Sequence, residues 1–169
     1  MLLRDVIEVV HGVSIGDIDV KIAHVSTDTR TLQAGDLFIP LTGNNYNGHD
    51  FLLQASEKGA AAVLANESEW DKRASKEFPI PVVLVKDSLR ALQQLAANHR
   101  SRFNIPVIAI TGSVGKTTTK DMVASVLGIK YKVLKSQGSF NNEIGLPLTM
   151  LQIDEHTQTV VVELGMRGI

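Results

Sequence analysis

The stretch Ala109–Met122, AITGSVGKTTTKDM, decides how this chain folds. The familiar loop for a nucleotide triphosphate reads G-x-x-x-x-G-K-(S/T). Gly115, Lys116 and Thr117 fit its end, but Ile110 stands where the first glycine belongs, and the nearest upstream glycine is Gly112. The surroundings account for the shorter spacing. A phosphate loop must leave a buried strand, turn backbone N–H groups inward, and open a helix whose positive end faces the anion. The apolar run IPVIAI, residues 105–110, supplies the strand, and KTTTKDMVASVLG supplies a helix ending at Gly128. Gly112 and Gly115 admit backbone geometry and a close approach that a Cβ would hinder. Gly112, Ser113, Val114, Gly115, Lys116, Thr117 and Thr118 then form the cradle for the nucleotide phosphates. Lys116 reaches the β- and γ-phosphates as a point charge, and the Thr117 hydroxyl is placed to ligate Mg²⁺. Charge-assisted bonds of this kind contribute ~1.5–3 kcal/mol each. A plain glycine turn with an exposed lysine would explain the glycines but not the strand, hydroxyl and helix together.

Upstream, Leu2, Leu3, Val6, Ile7, Val9 and Val10 suit one face of an opening helix that stops near Gly12. Short strands are expected over Ile18–Val25 and Asp36–Leu41. The run HDFLLQASEKGAAAVLA reads as a helix, a stop at Gly59 and a small-residue strand, and Pro81–Val85 as a buried strand. DSLRALQQLAANHRSRF places Leu89, Leu92, Leu95, Ala96 and His99 at helical spacing behind Asp87 and Ser88, and this helix should connect two domains. TQTVVVELG is a further buried strand. The expected fold class is α/β: a small α/β module over residues 1–85, then the first part of a P-loop-type parallel sheet over 86–169.

Composition sets the outer bounds. The chain has 169 residues, 44% apolar and 21% charged, with net charge −1, which is ordinary for a soluble globular protein of one or two domains. Near-zero net charge and 5% aromatic residues argue against a dedicated nucleic-acid surface. There is no cysteine, so disulfides, thiolate metal sites and a cysteine nucleophile are excluded. Met1–Val10 is too short and too charged for a signal peptide, and no apolar run approaches a membrane span, so a cytoplasmic protein is the expectation.

The segment TGSVGKTTTK resembles the ATP loop of the Mur ligase superfamily, in which T-G-x-x-G-K-(S/T) is the normal form; on that resemblance Ile110 is no defect. Three other stretches agree. SFNNEIGLPLTML, residues 139–151, resembles the segment beside the ATP site, VVVELGMRGI resembles the strand carrying a metal-binding glutamate, and STDTRTLQAGDLFIPLTGNNYNGHDF, residues 26–51, resembles the domain that holds the uridine diphosphate end of the substrate. The resemblance implies an ATP- and Mg²⁺-dependent amide-forming ligase of bacterial cell-wall synthesis. Lys116 and Glu163 would be its catalytic residues, and Thr117 and Glu163 would hold the metal. At least one of Asn141 and Asn142 would contact nucleotide or substrate. Thr29 and Arg30, with the second loop Asn47, Gly48 and His49, would meet the uridine diphosphate. Two roles stay open for His49: nucleotide contact, or capping of the next helix through Asp50. His11, His24, His99 and His156 have no metal spacing and read as surface or packing residues.

Within that family the wording of the loop and of NNEIG favours a UDP-N-acetylmuramoyl-peptide and D-alanyl-D-alanine as partners, and the resemblance implies that they are joined through an acyl phosphate by an enzyme monomeric when complete. The alternatives are the preceding ligase of the pathway, which adds the third amino acid to UDP-N-acetylmuramoyl-dipeptide, and a non-catalytic module that binds a UDP-sugar. A P-loop kinase or GTPase is a weaker reading: it leaves residues 26–51 unexplained, and no N-K-x-D is present. With the chain ending at Ile169, a piece of this length is expected to be inactive by itself.

Overall fold

The computed structural model describes residues 1–43, 46–73, 78–138 and 141–165. Asn44 and Asn45, Ser139 and Phe140, and Met166–Ile169, parts of three stretches read above, lie outside the described residues. The chain forms two compact units, Met1–Leu95 and Ala96–Ile169. The division falls inside one helix, C-terminal to the boundary expected after residue 85.

The first unit contains α1 (Leu3–Val10), β1 (Val13–Ile15), β2 (Val25–Ser26), β3 (Leu37–Phe38), α2 (Leu52–Glu57), β4 (Ala62–Asn66), α3 (Glu67–Arg73), β5 (Val82–Val85) and most of α4 (Ser88–Ser101). Its sheet runs β1-β5-β4-β3-β2, with β2 to β5 parallel and β1 antiparallel at one edge. Alternation along the strands divides the apolar side chains between the two faces. Phe38, Val63, Ala65 and Val82 share a core with Leu52 and Ala55 of α2 and with Trp70 of α3. Phe78 packs edge-on against Trp70, with ring centroids 5.5 Å apart.

The expected strand over Ile18–Val25 shrinks to Val25–Ser26. The carbonyls of Ile18 and Val20 instead accept the N–H groups of Arg4 and Leu3 at 3.0 and 2.8 Å. These are the orphan donors at the start of α1, whose N-cap position holds Leu2, a residue with no side-chain acceptor. The expected strand over Asp36–Leu41 likewise narrows to Leu37–Phe38, because the chain pairs closely with β2 only over that short register. Strand β1, helix α3 and, in the second unit, β7 (Val133–Lys135) and α6 (Gly145–Met150) carry too little periodicity to be read from sequence.

The second unit contains the rest of α4, then β6 (Val107–Ile110), α5 (Lys116–Leu127), β7 (Val133–Lys135), α6 (Gly145–Met150) and β8 (Thr159–Glu163). All three strands are parallel, in the order β6-β8-β7. The β-branched run of β8 is therefore central and buried along its whole length. Val160 and Val162 join Ile153 in a core flanked by Phe103, Val107, Leu134 and Leu146. β6 is an edge strand and only half-buried despite its apolar sequence.

Leu52 is 3% exposed in the core that also holds Trp70, the single tryptophan of the chain. Leu52→Ala should lower the stability of this unit by about 2–5 kcal/mol. Urea unfolding followed by tryptophan fluorescence measures the loss.

Candidate functional site

The residues expected to meet nucleotide and metal in the second unit lie toward the carboxyl ends of its parallel strands, the side on which open α/β sheets bind ligands. β6 leads into the glycine loop. Gly115, the residue before α5, has φ 79°, in the left-handed region, and no side chain caps this end of the helix. A Cβ on Gly115 would meet no atom within 4 Å, so the backbone angle rather than crowding calls for glycine. The first helical bond runs from Thr119 N–H to Gly115 O at 2.9 Å, so α5 presents an uncapped positive end at the loop. Ser113, Val114, Thr117 and Thr118 are exposed around it, and the Lys116 ammonium folds over the loop to donate to Gly112 O at 2.7 Å.

Glu163 closes β8 directly beside Ile110, the last residue of β6. It is 1% exposed. Asn141 Nδ2 donates to its Oε1 at 2.6 Å, while Oε2 is buried without a hydrogen-bond partner among the described residues. The Asn141 backbone carbonyl also accepts the Gly165 N–H at 2.9 Å, and a Cβ on Gly165 would sit 3.1 Å from that oxygen. The two asparagines thus separate. Asn141 orients the glutamate, whereas Asn142 Oδ1 accepts the N–H of Gly145 at 2.8 Å and caps α6. The structure also shows a residue that sequence reading passed over. Lys120 is 1% exposed and donates to the carbonyls of Ser136 and Gly138, each at 2.8 Å.

In the first unit the residues singled out also gather at the carboxyl ends of parallel strands, after β2 and β3. Most are engaged with the protein. The Thr29 hydroxyl donates to Gln54 Oε1 at 2.7 Å and is buried. Arg30 is exposed and forms an ion pair with Asp28 at 2.6 Å, and this hydrogen-bonded guanidinium holds the Asp28 carboxyl below its ordinary range.

His49 is 1% exposed. Its Nε2 accepts the Asn66 N–H at 2.9 Å, so that nitrogen bears no proton, and Nδ1–H donates to Asn47 Oδ1 at 2.8 Å. Asn47 also accepts the His49 N–H and donates through Nδ2 to Glu69 at 2.7 Å. The imidazole is thus a strut between the loop and the end of β4. The cap of the short 3₁₀ turn Gly48–Phe51 is Asn47 rather than Asp50. In the second unit His99 has a packing role, bonding Ile153 O at 2.7 Å and lying against Phe103.

Two family models match the chain: one described as the Mur ligase family, catalytic domain, over residues 21–100, and one described as the Mur ligase middle domain, over residues 110–169. The UDP-N-acetylmuramoyl-tripeptide–D-alanyl-D-alanine ligase of Bacillus subtilis (strain 168) is 50% identical over 147 residues, covering 84% of this chain and 30% of that one. A crystal structure of MurF from Acinetobacter baumannii superposes with a TM-score of 0.83 at 31% identity, covering 97% of this chain and 35% of that one. MurF ligase from Thermotoga maritima in complex with ADP gives a TM-score of 0.70 at 31% identity, over 88% of this chain and 33% of that one. The chain therefore spans about a third of the length of the relatives it matches.

Gly48 shows how tightly the first-unit loop is held. An added Cβ would lie 2.6 Å from both the N and the O of Leu41, backbone atoms that cannot move aside cheaply. Gly48→Ala should cost about 1–3 kcal/mol. The loss would appear as a lower denaturation midpoint, with amide shifts centred on Leu41 and Asn47.

Proposed function

The chain belongs to the Mur ligase family, and from that premise we propose that it carries the precursor-binding and ATP-binding parts of a ligase joining D-alanyl-D-alanine to UDP-N-acetylmuramoyl-tripeptide. One arrangement carries the reading: an uncapped helix end with Lys116 folded over its glycine loop, and a buried glutamate with one unpartnered oxygen on the neighbouring strand of the same sheet.

In the reaction proposed, a carboxylate oxygen of the tripeptide attacks the γ-phosphorus of ATP. The bond to the bridging oxygen breaks and ADP leaves, giving an acyl phosphate. The amine of D-alanyl-D-alanine then attacks the acyl carbon, phosphate departs with the C–O electron pair, and the nitrogen gives up a proton. Phosphoryl transfer requires positioning and neutralisation of charge more than covalent help. The positive end of α5 and Lys116 meet the phosphates. Mg²⁺ fits the residues present, because Glu163 Oε2 is a hard donor buried without a partner, and the Thr117 hydroxyl stands in the first turn of α5. Thr117 and Glu163 would hold the ion, which would supply neutralisation of the charge that develops in phosphoryl transfer. In the first unit the exposed Arg30 guanidinium, ion-paired with Asp28, would meet the uridine diphosphate, while Thr29, Asn47 and His49 hold the surrounding loops in shape. Among the described residues no helix is long and apolar enough to cross a membrane. Because the reaction proposed consumes ATP, we place it in the cytoplasm.

Lys116→Ala should weaken binding of ATP or ADP by about tenfold to a hundredfold, the loss of one charge-assisted contact. Calorimetry on this chain reads the change, and an unaltered affinity would remove the loop from the nucleotide site.

Substrate choice calls for a chimera in which this chain replaces the matching segment of the Bacillus subtilis relative. Phosphate release should depend on D-alanyl-D-alanine together with the tripeptide precursor. Release supported instead by a single amino acid and the dipeptide precursor would assign the chain to the preceding step.

A further inference from the structure

Lys120 belongs to none of the roles above, yet it is the most deeply buried charged side chain of α5. Placing a charge out of water costs several kcal/mol unless bonding compensates it. Its position adds to that cost. Lys116 and Lys120 are one turn apart on one face of α5, a like-charge pair near the positive end of the helix. Among the described residues no carboxylate neutralises Lys120 closely. Asp121 Oδ1 is 3.9 Å away and is engaged instead by Lys135 at 2.8 Å. What Lys120 does have is two backbone carbonyls, Ser136 O and Gly138 O, each 2.8 Å from Nζ.

Those carbonyls lie where the chain leaves β7, the strand paired with β8. The Ser136 N–H donates to Val161 O at 3.2 Å, two residues before Glu163, and Gly138 takes φ 50° as the chain turns away. Three residues beyond Gly138, Asn141 donates to Glu163 Oε1. One ammonium thus pins the phosphate-loop helix to the strand exit from which Asn141 reaches the glutamate. A hydrophobic residue would fill the space but would leave both carbonyls without this donor and let the exit drift from the helix.

We propose that Lys120 is a positioning residue that sets the distance between the two halves of the metal–nucleotide site, Thr117 with the phosphate loop on α5 and Glu163 on β8. The proposal rests on the nucleotide reading above. Lys120 touches neither phosphate nor metal. It acts through Ser136, Gly138 and Asn141, so its contribution falls on the coupling between Mg²⁺ and nucleotide and not on nucleotide affinity as such.

The test compares ADP binding to this chain with and without Mg²⁺, for the wild type, Lys120→Met, Glu163→Gln and the double variant. Lys120→Met should cut the enhancement by Mg²⁺ about fivefold or more, while affinity without the metal changes less than about twofold. The double variant should be no worse than Glu163→Gln, since both substitutions break one linkage. A second readout needs no nucleotide. The Asn141 side-chain amide resonance, displaced in the wild type by its bond to Glu163, should move toward the position of a free amide in Lys120→Met. If Lys120→Met does not fold, Lys120→Gln, which keeps one donor group, should show a partial loss of the enhancement. An intact Mg²⁺ enhancement with an unmoved Asn141 resonance overturns the proposal. Equal losses with and without Mg²⁺ overturn it as well, by reducing Lys120 to a support for the helix. If the wild-type chain binds no ADP, the nucleotide reading fails together with this one.

Discussion

The buried Glu163 carboxyl is the constraint around which the second unit is arranged. Its burial follows from its strand. β8 has β-branched residues on both faces and is flanked by β6 and β7, so its last side chain is drawn out of water with the rest. A polar group in that position has to be bonded or serve a ligand. One oxygen is taken by Asn141, and the other meets no donor among the described residues. The close approach of Gly165 to Asn141 and the depth of Lys120 are consistent with holding that carboxyl in place.

The first unit solves a related problem with a chain of polar contacts. Glu69 accepts from Asn47, Asn47 accepts from His49, and His49 accepts the N–H of Asn66. The Asn66 side chain in turn accepts the hydroxyl and N–H of Ser88 at the start of α4, at 2.6 and 2.7 Å. Each link satisfies a group that burial would otherwise leave unpaired, and together they join the 3₁₀ turn, β4, α3 and α4 through side chains of fixed length. The cap of α4 is left to Asp87, whose Oδ1 accepts from Leu89 and Arg90. A loop held in this way at the carboxyl end of the sheet keeps a fixed shape through bonds within the protein.

By itself the sequence determined what depends on neighbours along the chain. The strand–glycine–helix order around Gly112 and Gly115, the lysine and hydroxyl at the start of α5, the helix behind Asp87 and the buried character of TVVVE are local facts, and local chemistry is enough to state them. The short strands β1, β2, β3 and β7 were poorly legible because two or three residues carry no period; their pairing partners define them. Only the tertiary structure decided the roles of the polar residues. Asn141 and Asn142 are adjacent in sequence and alike in chemistry, yet one bonds a carboxyl 22 positions away and the other caps the helix that follows. His49 is a buried strut because Asn66, 17 positions on, meets its Nε2. Lys120, in TTTKDM, looks like any solvated lysine on a helix until β7 passes beneath it and offers two carbonyls. Propensity and motif act over one or two turns of chain, whereas a hydrogen bond between distant residues exists only once the sheet order has brought its donor and acceptor together.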